Sequence, residues 1–196
     1  MPEFFQIEAA GAARILQLVS ADNTNRLSRG CVLALTAAIR ELTREAHPLV
    51  IAGNQHFFSA GADLHEIALL GGSASFEFAR MGQRLMTAIC DFPAPVIAAV
   101  SGYCMGGGLD LALACHRRVA SPHAIFGHRG AALGLITGWG GTQRLPRLVG
   151  RARALQMFLE AEKVHAREAL RIGLVEAVAE DAVGEAVRRI GDLPIR

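Results

Sequence analysis

At 196 residues, with 52% hydrophobic and 19% charged side chains, the chain holds enough apolar material for one domain of ordinary size and lacks the signature of disorder. A net charge of +2 is too mild to argue for nucleic acid, and no uninterrupted apolar stretch reaches membrane-spanning length. The opening MPEFFQIE has neither a basic n-region nor a long apolar h-region, so no signal peptide is expected and the cytoplasm is the expected location.

In chain order, Phe4 to Ala9 and Arg14 to Ser20 read as two strands around a Gly11 turn. The polar loop Ala21 to Asn25 follows, and Ser28 is placed to cap a helix carrying Cys31, Leu35, Ala38, Ile39 and Leu42. Leu49 to Ala52 is a brief strand. HFFSAGADLHEI then gives a small-residue loop, Ser59 to Ala62, followed by one or two helical turns from Asp63 to Leu70. Phe76 to Cys90 has helical periodicity through Phe78, Met81, Leu85, Met86 and Ile89.

The stretch VIAAVSGYCMGGGLDLAL, Val96 to Leu113, begins as a buried strand and ends as a buried helix, with Gly106, Gly107 and Gly108 at the join. Arg118 to Ala120 and Ala124 to Phe126 are short strands, and Leu133 to Ile136 leads into a second glycine cluster, Gly138, Gly140 and Gly141, around Trp139. Helices are expected at Arg151 to Glu160 and Ala166 to Ile172, with Gly173 as a C-cap. Leu174 to Val178 reads as a last strand and Asp181 to Ile190 as a final helix. Alternation of strands and helices gives an α/β class, with no interdomain linker.

Two turns carry the chemistry. SAGAD, Ser59 to Asp63, and GGG, Gly106 to Gly108, each follow a strand and open a helix. If the two strands are neighbours, both turns lie at one sheet edge, where α/β ligand sites form. Two backbone N–H groups then converge on one oxygen and stabilise negative charge developing there. The four cysteines, Cys31, Cys90, Cys104 and Cys115, show no CxxC spacing and read as buried free thiols of a reducing compartment. His47, His56, His65, His116, His123 and His165 show no metal spacing, so no metal is expected. The arginines Arg117, Arg118, Arg144, Arg147, Arg151 and Arg153 read as a solvated face or a subunit contact.

FSAGADLHEI, PAPVIAAVSGYCMGGGLDLALAC, AIFGHRGAALGLITGWGGTQRLPRLVG and AREALRIGLVEAV, in that order, resemble the crotonase (enoyl-CoA hydratase/isomerase) superfamily. The resemblance covers nearly the whole chain. It implies a spiral of ββα units, acyl-CoA thioester substrates, and trimers or pairs of trimers. By position it puts the two oxyanion-hole N–H groups on Ala62 and Gly107, and a substrate-lining role on Ala60, Gly61, Asp63, Leu64, Gly106, Gly130 and Leu135. It also places Arg26 where a CoA phosphate is in reach. No cofactor is implied beyond the coenzyme A of the substrate. Members of the family continue for several more helices, so residues 1–196 are expected to form a single domain shortened at its C-terminus, with trimer contacts and pocket cover reduced.

The chain departs from the family in its proton-transfer groups. Hydratases of the family use two glutamates; here the first position is Asp110 and the second is Gly130, in FGHRG. Asp110 keeps the chemical type and is the expected acid/base. Some naphthoate synthases resemble the chain at that glycine and use bound bicarbonate as the missing base, but they carry an aspartate where Thr137 stands. His128 and Arg129, beside Gly130, read as surface or packing residues; a sharper reading makes them a small-anion site. The expected function is enoyl-CoA hydratase or isomerase chemistry through an oxyanion-stabilised enolate. The alternatives are a bicarbonate-assisted acyl-CoA lyase and an acyl-CoA-binding protein with little catalysis.

Overall fold

The computed structural model describes residues 4–190. Phe5–Ala10 (β1) and Ala13–Leu18 (β2) form the expected antiparallel hairpin, with Ala10 opposite Ala13. Arg26–Leu27 (β3) precedes Arg29–Leu42 (α1), whose cap is Ser28; its Oγ accepts from the Cys31 N–H at 3.3 Å. Next come Leu49–Ala52 (β4), Phe57–Ser59 (β5), Gly61–Ala62 (β6), Leu64–Ala68 (α2) and Ser73–Cys90 (α3). Val96–Val100 (β7), Tyr103–Met105 (β8), Gly107–Ala114 (α4), Arg117–Ala120 (β9) and Ile125–Gly127 (β10) lead to a 3-10 turn at Gly130–Leu133. Gly141–Val149 (α5), Arg151–Leu159 (α6), Val164–His165 (β11), Ala166–Arg171 (α7), Ala177–Val178 (β12) and Ala182–Ile190 (α8) complete the described chain. Residues 191–196, beyond the helix expected at Asp181 to Ile190, lie outside the described part.

Six strands form the large sheet, in the order β1-β2-β4-β7-β9-β12, parallel except for β1. The immediate successors of three of them enter a second sheet, β11-β10-β8-β5. Thus β4 is followed by β5, β7 by β8 and β9 by β10, each pair then giving way to helix. This is the spiral of ββα units that the resemblance implied. One expectation changes here. The strand at Val96 does not run into the glycine triplet; it ends at Val100, and Tyr103 to Met105 form a separate strand in the other sheet. The cluster Gly138 to Gly141, read as a turn, also starts a helix, α5. The expected strand Leu174 to Val178 shrinks to two residues. The Leu174 and Val175 amides instead donate to Ala169 O, and ladder pairing with β9 begins only at the Glu176 amide, which donates to Arg118 O.

The large sheet is covered on both faces, which explains why β4 and β7 are continuous apolar runs rather than alternating ones. Leu49, Ile51, Val96, Ala98 and Val100 join the core formed with α1, α3 and α4. Their neighbours Val50, Ala52, Ile97 and Ala99 pack on the other face under Ala182, Ala186 and Ile190, one stripe of α8 at four-residue spacing. Each fully buried Val, Ile or Leu contributes about 1.5–3 kcal/mol. The cysteine expectation holds for Cys31, Cys104 and Cys115, but Cys90, at the last turn of α3, is exposed.

Arg118 corrects the reading of the arginines as a solvated face. It is buried, and its guanidinium donates to Leu174 O at 2.8 Å and Cys115 O at 2.9 Å, tying β9 to the ends of α4 and α7. Burial lowers its pKa. His116 is equally structural: its Nδ1 accepts from the Val96 N–H at 2.9 Å and its Nε2 lies 3.0 Å from Cys90 O. Replacing Arg118 by Met leaves two buried carbonyls unpaired, so Arg118→Met should lower stability in urea unfolding by about 2–4 kcal/mol. A midpoint equal to wild type would show that water replaces the guanidinium.

Candidate active site

The parallel pairing of β5 with β8, Phe57 opposite Tyr103 and Ser59 with Cys104, makes the two strands neighbours. The SAGAD and GGG turns therefore leave the same edge of the small sheet. Gly61 (φ +95°) and Gly106 (φ +50°) take backbone conformations that L side chains rarely adopt. A Cβ built on Gly61 would lie 3.1 Å from the Gly107 N, and one built on Gly107 would lie 3.2 Å from the Ala62 N. The amides of Ala62 and Gly107 are thus side by side. Gly107 opens α4, so its N–H has no intrahelical acceptor.

The first turn is held by the polar loop before β3. Asn25 is buried, and its Nδ2 donates to Phe57 O at 3.0 Å and Phe58 O at 3.2 Å. Ser59 Oγ donates to Asn25 O at 2.7 Å and accepts from the Gly61 N–H at 3.0 Å. The second turn is held from β10, where Gly127 O accepts from the Gly106 N–H at 2.9 Å.

Both turns open on a cleft of about 380 Å³. Ala60, Gly61, Ala62, Leu64, Gly106, Gly107, Asp110, Gly130 and Leu135 all line it, as the sequence reading placed them. Two predicted residues are not among its lining. Arg26 stands exposed on β3 and pairs with Asp22 at 3.1 Å. Asp63 caps α2, its carboxylate accepting from the His65 N–H at 2.8 Å and the Glu66 N–H at 3.4 Å. The short polar side chain at that position serves the helix start instead. A larger groove of about 580 Å³, lined by Arg40, Arg80 and Arg84 between α1 and α3, contains neither turn.

The polar centre of the cleft is Asp110, only 1% exposed. Thr137 Oγ1 donates to its Oδ2. Its Oδ1 lies 3.3 Å from Nε2 of His128, itself 4% exposed. Neither Oδ1 nor Nε2 completes a hydrogen bond, although a buried polar atom left unpaired costs about 1–3 kcal/mol. Burial pushes the Asp110 carboxyl up to about 7, against the lowering effects of the Thr137 hydroxyl, Arg144 and the Gly141 amide. Burial pulls His128 down to about 4. Of the surface and packing readings of His128, the structure bears out packing: the side chain is buried, with its ring 5.1 Å from that of Phe158.

Gly141 makes this arrangement possible, because a Cβ there would sit 2.2 Å from Asp110 Oδ1 and 2.8 Å from His128 Nε2. At Gly130 a Cβ would lie 2.7 Å from Leu135 O. The direction in which a side chain would leave that position meets the Leu135 backbone. Trp139 walls the cleft beside Gly107, with its Nε1 donating to Phe78 O at 3.3 Å. Thr137, His128, Gly141 and Trp139 were not picked out as site residues from the sequence. The signal for His128 is positional: Gly127, just before it, pairs with Met105, just before the glycine triplet. Among the described residues no cluster of His, Cys, Asp and Glu could hold a metal ion, and no helix is long and apolar enough to cross a membrane.

The chain is a spiral of ββα units that brings two turn amides together beside a buried carboxylate in one cleft. The sequence model described as Enoyl-CoA hydratase/isomerase matches residues 9–193, and the chain belongs to that family. It is 43% identical over 160 residues to a protein named as a probable enoyl-CoA hydratase in Bacillus subtilis (strain 168). That match covers 80% of this chain but only 62% of the relative's length. The solved structure of Pseudomonas aeruginosa DspI superposes with a TM-score of 0.91 at 38% identity, covering 96% of this chain and 74% of that one. An enoyl-CoA hydratase from Bacillus anthracis gives the same TM-score at 31% identity, with 97% and 76% covered.

The two perturbed groups oppose each other in the pH dependence of stability. The folded-state pKa of Asp110 rises from 3.8 to about 7, so its contribution is present at low pH and lost as pH rises through that window. That of His128 falls from 6.5 to about 4, so its contribution is present above 6.5 and lost as pH falls. Over roughly pH 4–6.5 the slopes cancel. Asp110→Asn removes one of them. Its stability relative to wild type should therefore decrease as pH drops through that window, by up to about 1.4 kcal/mol per pH unit. Urea unfolding at three pH values reads this, and a constant difference would show that the Asp110 carboxyl titrates in the folded protein as it does in the unfolded chain.

Proposed function

We propose that the chain binds an acyl-CoA thioester and performs enoyl-CoA hydratase or isomerase chemistry through its enolate. The observation that carries this is the juxtaposition of the Ala62 and Gly107 amides with one buried carboxylate, in a cleft that is otherwise largely apolar. The amides donate to the thioester oxygen, which becomes negative as the enolate forms; one such donor is typically worth about 3–4 kcal/mol in the transition state. The apolar residues Ile67, Leu70, Phe78 and Phe158 suit an acyl chain. A carboxyl with a pKa of about 7 both accepts and returns a proton at neutral pH.

One carboxylate suffices for a one-proton shuttle. In hydration, Asp110 takes a proton from the attacking water as its oxygen bonds to the β-carbon, then delivers that proton to the α-carbon. In isomerisation it moves a proton between the α- and γ-carbons. Hydration is the default, following the names of the relatives. Assembly into trimers belongs to the same proposal.

Crotonyl-CoA hydration, followed by loss of the conjugated enoyl-thioester absorbance, tests it. Asp110→Asn should lower kcat by about 10²–10⁴ while leaving binding of butyryl-CoA unchanged. An unaltered rate would remove Asp110 from the mechanism. Binding of acyl-CoA by the wild type with no turnover of any enoyl-CoA would favour a binding protein instead.

A further inference from the structure

We infer that His128 is the positioning residue of Asp110, its neutral imidazole donating from Nε2 to carboxylate Oδ1 so that His128, Asp110 and Thr137 form one proton-handling unit. The part of the inference that concerns turnover rests on the function proposed above; the contact itself does not.

Three observations meet here. The two atoms are 3.3 Å apart inside the protein, and each is without another hydrogen-bond partner. The pair lies within hydrogen-bond distance without hydrogen-bond alignment, and active-site hydrogen bonds are commonly long or poorly aligned before substrate closes the site. The other carboxylate oxygen already accepts from Thr137, so a donor at Oδ1 fixes the plane of the carboxylate from both sides. Finally, the residue that would block the contact is absent: position 141 is glycine, where a Cβ would collide with both atoms.

The unit also explains how the site works with glycine at position 130. His128 lies two residues before Gly130 and comes off the same strand end, and it lines the cleft beside Asp110, with Nε2 3.3 Å from Oδ1. A neutral N–H donor favours the carboxylate over the acid without adding net charge to the cleft. Besides Thr137, the Gly141 amide and Arg144 on α5 act on Asp110, and the Cys104 thiol of β8 feels it. The buried face of α3 is wholly apolar, β9 sends Arg118 to the C-terminal end of α4, and Arg26 on β3 is occupied by Asp22.

Packing alone would be satisfied by a phenyl ring, since the imidazole rests against Phe158 with ring centroids 5.1 Å apart. Hydrogen bonding would be satisfied by an amide. His128→Phe and His128→Gln therefore separate the two roles. The Asp110 carboxyl is titrated by NMR in protein labelled with ¹³Cγ-aspartate, its signal assigned by its loss in Asp110→Asn. We expect His128→Phe to move that titration to higher pH by roughly one pH unit and His128→Gln to leave it near wild type. At pH 7 the same change lowers the carboxylate fraction, and with it crotonyl-CoA turnover, by about fivefold in His128→Phe.

A measurement that needs no substitution to report accompanies these. Above pH 8, where Asp110 is ionised, ¹⁵N shifts of the His128 ring should show the Nε2–H tautomer. The Nδ1–H tautomer, or a His128→Phe titration coincident with wild type, would overturn the inference. Neither readout requires turnover. A wild type that shows the tautomer and the shift but hydrates nothing would sink the proposed reaction and leave the His128 contact standing.

Discussion

The site depends on β8 lying between β5 and β10 in the small parallel sheet. Pairing with β5 brings the SAGAD turn beside the GGG turn and so sets the two amides side by side. Pairing with β10 brings the next residues of the chain, His128 to Gly130, to the start of α4. The same three short strands thus bring together the two turn amides, the carboxylate and its neighbour. Their parallel direction is imposed by the ββα spiral, since each strand follows a member of the large sheet and inherits its handed crossover.

Burial then gives the carboxylate its chemistry. In the first turns of a helix, an exposed aspartate would only offset the helix dipole. Here α3, α5 and the loop carrying Thr137 enclose Asp110, and the loss of water raises its proton affinity into the neutral range. The same enclosure keeps His128 uncharged. Two groups that would form an ordinary ion pair at the surface are converted into a neutral donor and an acceptor that share the work of one proton.

Much of this was legible in the sequence. The helices at α1, α3 and α8 follow from apolar spacing, and Ser28 declared its own cap. The amide donors, and Asp110 as the acid, followed from a motif resemblance, and each lines the cleft. Local pattern misjudged the residues whose role is set by what lies across from them. Asp63 caps its own helix, Arg26 pairs with Asp22, and Arg118 lies inside the protein bound to two carbonyls. None of these differs from a site or surface residue in its immediate sequence.

The sequence by itself determined the alternating elements and the two glycine-bearing turns, because these are properties of residue type and spacing along the chain; that Gly130 stands where a second glutamate is usual came from the family resemblance. Only the tertiary structure decided that a side chain at position 130 would meet the Leu135 backbone, that Gly141 leaves room at the carboxylate, and that His128 faces Asp110. Those facts depend on distances between segments that meet only when the small sheet forms. Proton affinity depends on burial, and burial is a property of the whole fold.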